Sequence, residues 1–258
     1  MSNPAQPCLV WQIYDYSLEP FGSFFGVQKA NEPVHIMMTQ DDFRIMLVNH
    51  TPAPLTNMKY RVRILNLDGS VKYDETAPVP AAPASAAVEL RMLPTPAGLS
   101  AVHFVKLELL DPNGKVVSDN FYWKETAQDD LTALDTIPDV ELEGRISRHD
   151  AGGNCLLDVT LSNPTRNIAV MAHLQLRSQR TDRRVLPVYY SENYVSLLPG
   201  ESRTIAIEAA SQDLSGARPL VVADGWNTTV KAMDFPNNGG ARIAANDNAR
   251  VSRSQARN

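Results

Sequence analysis

Cysteine is almost missing from this chain of 258 residues. The two present, Cys8 and Cys155, are too few for a disulfide framework or a multi-cysteine zinc site, and they read as two separate buried thiols. No apolar run approaches the 18 or so residues of a membrane-spanning helix, so no membrane contact is expected. Cationic excess is absent too: Lys plus Arg is 24 against 29 for Asp plus Glu, a net charge of -5. That balance excludes a nucleic-acid partner held by a broad basic surface. Glycine is sparse, 13 residues against 18 prolines, which favours many interrupted elements over long helices. Met1–Pro7 lacks a basic stretch leading into an apolar one, so no secretory signal is expected and the compartment stays open.

Familiar catalytic templates are missing as well. There is no phosphate-binding glycine loop, no H-E-x-x-H, no C-x-x-C and no G-x-S-x-G elbow. The five histidines, His35, His50, His103, His149 and His173, are scattered singly and read as surface or edge residues. Neither a metal nor a cofactor is expected.

What is present reads as globular, with 43% hydrophobic and 21% charged residues. Residues 1–33 are rich in rings: Trp11, Tyr14, Tyr16, Phe21, Phe24 and Phe25. A short helix is predicted from Phe24 to Asn31, stopped before Pro33. A segment this short cannot bury its rings within itself. Over residues 34–124 the period becomes two: Tyr60, Val62 and Ile64 alternate with Lys59, Arg61 and Arg63, and Val105, Leu107 and Leu109 with Lys106 and Glu108. Such alternation predicts antiparallel strands with one face on a core and one in water. After a polar linker at 125–137 the pattern restarts over 138–235, with Cys155, Leu157, Val159 and Leu161 on one face. The halves echo each other, Leu47-Val48-Asn49-His50-Thr51 against Leu161-Ser162-Asn163-Pro164-Thr165. The reading is mainly β: two tandem immunoglobulin-like β-sandwiches. Residues 236–258, polar and Arg-containing, are expected to form a disordered tail.

Carboxylates cluster as Asp15 with Glu19, Asp41-Asp42, Asp74-Glu75 and Asp129-Asp130. Neighbours on a strand point to opposite faces and cannot flank one glycosidic bond, so no catalytic pair is read here. Leu186–Glu201 holds Tyr190, Asn193 and Tyr194 in an expected loop. Rings beside an amide suit a sugar's C–H faces and hydroxyls. The other reading is an ordinary strand pair with rings packed on the sandwich edge.

Two stretches carry a family resemblance. Trp11-Gln12-Ile13-Tyr14-Asp15-Tyr16-Ser17-Leu18-Glu19-Pro20, followed by Phe24–Ile36, resembles the end of the catalytic barrel in glycoside hydrolase family 2. The branch is that of the exo-β-D-glucosaminidases and mannosylglycoprotein endo-β-mannosidases. Leu186–Glu201 is similar to part of that branch's terminal sandwich, and the likeness runs from about residue 1 to residue 230. One departure is Gln6, where the family pattern usually has Trp.

The resemblance implies that residues 1–33 form a loop-helix remnant closing a (β/α)8 barrel absent from this chain. It implies O-glycosyl hydrolysis in the intact enzyme, on β-glucosaminide or β-mannoside glycans. The family's acid/base and nucleophile glutamates lie on earlier barrel strands, and no residue here matches them, so the chain alone is expected to be inactive. Its expected partners are the missing barrel and N-terminal domains, with Tyr190, Asn193 and Tyr194 as sugar contacts. The alternative is a free-standing carbohydrate-binding or protein-interaction module. Rings packed on the first sandwich would favour that alternative; exposed rings would imply a missing partner.

Overall fold

The computed structural model describes residues 13–233, so Cys8, Gln6 and the expected disordered tail lie outside the described residues. The chain divides into two compact units. One joins residues 13–25 to 138–233; the other is 26–137, and the division falls inside the helix α1 (Gly22–Ala30).

The unit of residues 26–137 holds seven strands: β1 (Val34–Met38), β2 (Arg44–Asn49), β3 (Lys59–Asn66), β4 (Val71–Pro78), β5 (Ala86–Met92), β6 (Val102–Leu110) and β7 (Val116–Glu125). They form antiparallel sheets ordered β1-β2-β5 and β4-β3-β6-β7. The alternating apolar residues meet as predicted, with Ile36, Ile45, Leu47, Val62, Ile64, Val105 and Leu107 in one core. The outer edge of β1 is met by side chains of β7. Ile36 N–H donates to Ser118 Oγ (3.2 Å), Met38 N–H to the Tyr122 hydroxyl (2.9 Å), and Asn120 Nδ2 to the Ile36 carbonyl (3.2 Å). Unpaired strand edges invite further pairing, and these side chains occupy one.

The expectation of one bare face per strand fails on β6. Lys106 and Glu108 are 6% and 8% exposed, because Glu108 pairs with Arg63 (2.9 Å), Phe104 stacks on Phe121 (5.2 Å), and Lys29 of α1 bonds Asp119 on β7 (2.7 Å). Alternation of charge marked the second face correctly but could not show that it is covered.

The other unit holds β8 (Glu143–Ala151), β9 (Asn154–Ser162), β10 (Ala169–Ser178), β11 (Tyr189–Tyr190), β12 (Val195–Leu197), β13 (Ser202–Ala210), β14 (Pro219–Asp224) and β15 (Lys231–Met233). Its sheets run β11-β13-β9-β8 and β12-β10-β14-β15. Their inner faces share a core that includes Leu157, Val159, Leu174, Ile205 and Val221, with Cys155 as a buried free thiol. The fold is mainly β, built of immunoglobulin-like sandwiches.

The ring-rich segment follows the expectations only in part: Tyr16 is exposed, but the other described rings are not. Phe25 is part of the core of this second sandwich, and Phe24 packs against that core. Rings that looked orphaned in sequence have partners more than 160 residues further along.

Candidate functional site

Residues 13–25 form a tight loop that leads into α1. Tyr14 bridges Pro20, Phe21 N–H donates to the Ile13 carbonyl (2.9 Å), and Asp15 N–H donates to the Glu19 carbonyl (2.8 Å). Asp15 Oδ1 accepts from Glu19 N–H at 2.9 Å, which fixes both acids on one side of the loop. At Gly22 an added Cβ would meet Met171 Cε at 3.3 Å and Tyr194 Cγ at 3.5 Å, so the helix begins in close contact with the sandwich. Tyr14, Phe24 and Phe25 form a chain of ring contacts that reaches Tyr194 and Tyr190, with centroids 5.2–6.4 Å apart.

Beside the rings lies a cluster of charge. His173 on β10 faces Asp224, its register partner on β14, with Nδ1 2.8 Å from Asp224 Oδ1. Its Nε2 lies 3.2 Å from Glu19 Oε1, within ion-pair range but not aligned as a hydrogen bond. Arg184 pairs with Glu19 and, at 3.1 Å, with Asp15. Gln175 Nε2 steadies the second oxygen of Asp224 at 2.9 Å. The His173 imidazole stacks on Tyr194, centroids 4.4 Å apart. Burial pushes the His173 pKa down, but its hydrogen bond to Asp224, the contact with Glu19 and the charges of both acids outweigh burial and hold it above the ordinary value. Burial, with Glu19 and Asp224 nearby, pushes the Tyr194 hydroxyl well up.

Three acids therefore meet one arginine and one histidine that favours its charged form. Glycoside hydrolysis needs two carboxylates about 5–9.5 Å apart flanking an open site. Asp15 and Glu19 instead share Arg184, and Asp224 holds His173. The arrangement can clamp a loop to a sheet. Among the described residues, no three His, Cys, Asp or Glu side chains are grouped to hold a metal ion.

The three sequence-predicted sugar contacts lie beside this clamp but differ in what they offer. Tyr190 is buried on β11, and its hydroxyl accepts from Leu176 N–H at 2.9 Å. Asn193 is buried; its Oδ1 accepts from Leu174 N–H (2.8 Å) and its Nδ2 donates to the Leu174 carbonyl (2.9 Å). Together they continue the edge of β10 beyond the point where β12 stops pairing with it. Tyr194 is half-buried, and among the described residues its hydroxyl has no hydrogen-bond partner. His173, Asp224 and Arg184 escaped the sequence reading because each stood alone in an ordinary strand or loop. His35, His103 and His173 are all buried. The expectation of surface or edge histidines is corrected for His103 and His173, which sit on the inner strands β6 and β10, whereas His35 does lie on an edge strand, β1, but one that β7 covers. The one available signal was Asp15 four residues before Glu19 in a segment full of rings.

Residues 120–228 match the exo-β-D-glucosaminidase Ig-fold domain, and residues 41–129 match the mannosidase Ig/CBM-like domain. The chain carries the immunoglobulin-fold domains of the glycoside hydrolase family 2 exo-β-D-glucosaminidase branch. An exo-β-D-glucosaminidase of Streptomyces avermitilis is 32% identical over 256 residues, covering 90% of this chain but 28% of the relative. A mannosylglycoprotein endo-β-mannosidase of Lilium longiflorum is 25% identical, covering 84% of this chain and 29% of its own length. The crystal structure of an exo-chitosanase from Amycolatopsis orientalis superposes with a TM-score of 0.82 at 29% identity, over 90% of this chain and 30% of that one. The chain thus spans under a third of the relatives it matches.

Proposed function

We propose that this chain serves as the immunoglobulin-like accessory part of a glycosidase acting on β-linked glucosaminides, and that it hydrolyses nothing on its own. One observation carries the reading. A segment that resembles the closing loop of a (β/α)8 barrel sits on the second sandwich, with Phe25 in the core and Glu19 between His173 and Arg184. A barrel whose last loop is held this way has the sandwich pinned beside it. The carboxylate pair that cleaves the bond belongs to the barrel, since the acids at this clamp are engaged in holding it. Tyr194, next to the barrel-like segment and with its hydroxyl unclaimed, borders the sugar site, while Tyr190 and Asn193 set its position. Glucosaminides are preferred to mannosides because the glucosaminidase relative is the more similar of the two, 32% against 25% identical.

The test replaces the matching part of the Amycolatopsis orientalis exo-chitosanase with this chain. Turnover of p-nitrophenyl β-D-glucosaminide is then compared with that of the chain alone. The chain alone should give none, the chimera should turn over, and Tyr194→Ala should raise KM in the chimera. Turnover by the chain alone overturns the reading, as does a folded chimera that cleaves only the β-mannoside.

A further inference from the structure

The face of the second sandwich that points away from its core carries a shallow cleft of about 430 Å³. Strand register explains its composition. Tyr189 on β11 pairs with Glu208 on β13, Glu208 with Leu156 on β9, and Leu156 with His149 on β8. One row of outward side chains thus crosses the whole sheet, over three interstrand spacings or roughly 14 Å. In the next row Ala206 pairs with Asp158, and the short side chain of Ala206 leaves a hollow beside Leu156.

Tyr189 is 68% exposed, more than any other large hydrophobic among the described residues. Its neighbour Tyr190 points inward and is buried, so the alternation of β11 itself turns Tyr189 to the cleft. Glu208 is oriented by Asn154, whose Nδ2 donates to its Oε1 at 2.6 Å. Among the described residues, the Asp158 carboxylate has neither a hydrogen-bond nor an ion-pair partner. A flat ring at one end, an apolar floor and two carboxylates in adjacent rows make a surface with three requirements. Its ligand must be extended, must offer a C–H face to stack on an aromatic ring, and must carry positive charge. A neutral glycan would leave the carboxylates without partners, and an anionic one would be repelled.

We propose that this sheet face binds a β-linked oligomer of glucosamine, stacking one ring on Tyr189 and pairing its ammonium groups with Glu208 and Asp158. The choice of ligand rests on the glucosaminide reading above; the site itself rests on the cleft. The face would hold the polymer while the barrel of the intact enzyme works on its end.

The test is calorimetric titration of the full chain in mildly acidic buffer with glucosamine trimer, N-acetylglucosamine trimer and cellotriose. Glucosamine trimer should bind, and the two neutral trimers should bind at least roughly tenfold more weakly, a difference of about 1.4 kcal/mol. Tyr189→Ala, and Glu208→Gln combined with Asp158→Asn, should each weaken binding by a similar factor. These positions are at the surface, and an unchanged circular dichroism spectrum and Tm would show that the variants fold. The proposal is overturned if the chain does not bind glucosamine trimer, if all three trimers bind alike, or if Tyr189→Ala has no effect. A chimera that cleaves glucosaminides beside a chain that binds none sinks this site alone. Tyr189-dependent binding of cellotriose in preference sinks the glucosaminide reading as well.

Discussion

Glu19 Oε1 lies 3.2 Å from Nε2 of His173, although 153 residues of chain separate the two. Asp224 holds the opposite ring nitrogen, so the imidazole bridges a carboxylate of the N-terminal loop and one of β14. Tyr194 stacks on its face, Gln175 steadies Asp224, and Arg184 neutralises Glu19.

This bridge should make stability depend on pH. An unfolded histidine titrates near about 6.5, and in the folded protein the two carboxylates hold His173 higher. The stabilisation is therefore complete below about 6.5 and is lost as pH rises through the folded value. Denaturant unfolding measured across that range should show wild type losing stability relative to His173→Gln. Parallel pH dependences in the two proteins would show that His173 does not titrate as argued.

Phe25 joins the N-terminal segment to a core made otherwise of residues beyond Pro138. Phe25→Ala should cost about 3–5 kcal/mol, the range for truncating a buried ring. It should also open residues 13–25 to limited proteolysis before the sheets unfold. A Tm within a degree or so of wild type would mean that the segment is not held by this ring.

Asn193→Ala would leave both the N–H and the carbonyl of Leu174 without their side-chain partner inside the protein. A loss of about 1–3 kcal/mol for each orphaned group is expected, with hydrogen exchange fastest at Leu174 and Leu176. If the variant is as stable as wild type, the edge of β10 has another partner and Asn193 is available for a ligand.

The echo between the two halves has a physical basis. Asn49 donates to the carbonyls of Ala53 and Pro83 and accepts from the N–H and hydroxyl of Thr51. Asn163 donates to Asn167 and Leu197 and accepts from the N–H and hydroxyl of Thr165. Each residue is 1% exposed and pins a turn to a distant strand end at the same place in its sandwich. Asn49→Ala should therefore loosen residues 51–53 and 83–85, and Asn163→Ala residues 165–167 and 197–200. Residue-resolved hydrogen exchange would show it, and a change confined to the turn itself would refute the pinning.

Much of the fold was readable because a side-chain period of two reports directly on strands, and an Asn-x-Thr turn reports on its own hydrogen bonds. Local patterns could not report what lies across the chain. Phe25 looked unpaired because its partners, Tyr190 and Tyr194, are remote in sequence. His173 looked like an edge residue because Glu19 and Asp224 approach it from two other elements. Tyr190 and Asn193 set a ring beside an amide, which suits a sugar, but a strand edge without a partner needs the same groups, and here both bond the backbone of β10.

The measurement that bears most directly on the account is hydrogen exchange at Asp15, Leu18 and Phe21, whose amides are all hydrogen-bonded within the N-terminal loop. If that loop belongs to the second sandwich, these amides should be protected in the purified chain. Glu19→Gln and Phe25→Ala should each release them while β9 and β13 stay protected. Exchange at the rate of an unstructured peptide in the wild-type chain, with β9 and β13 still protected, would contradict the account, because the barrel-like segment would then not be seated on the sandwich.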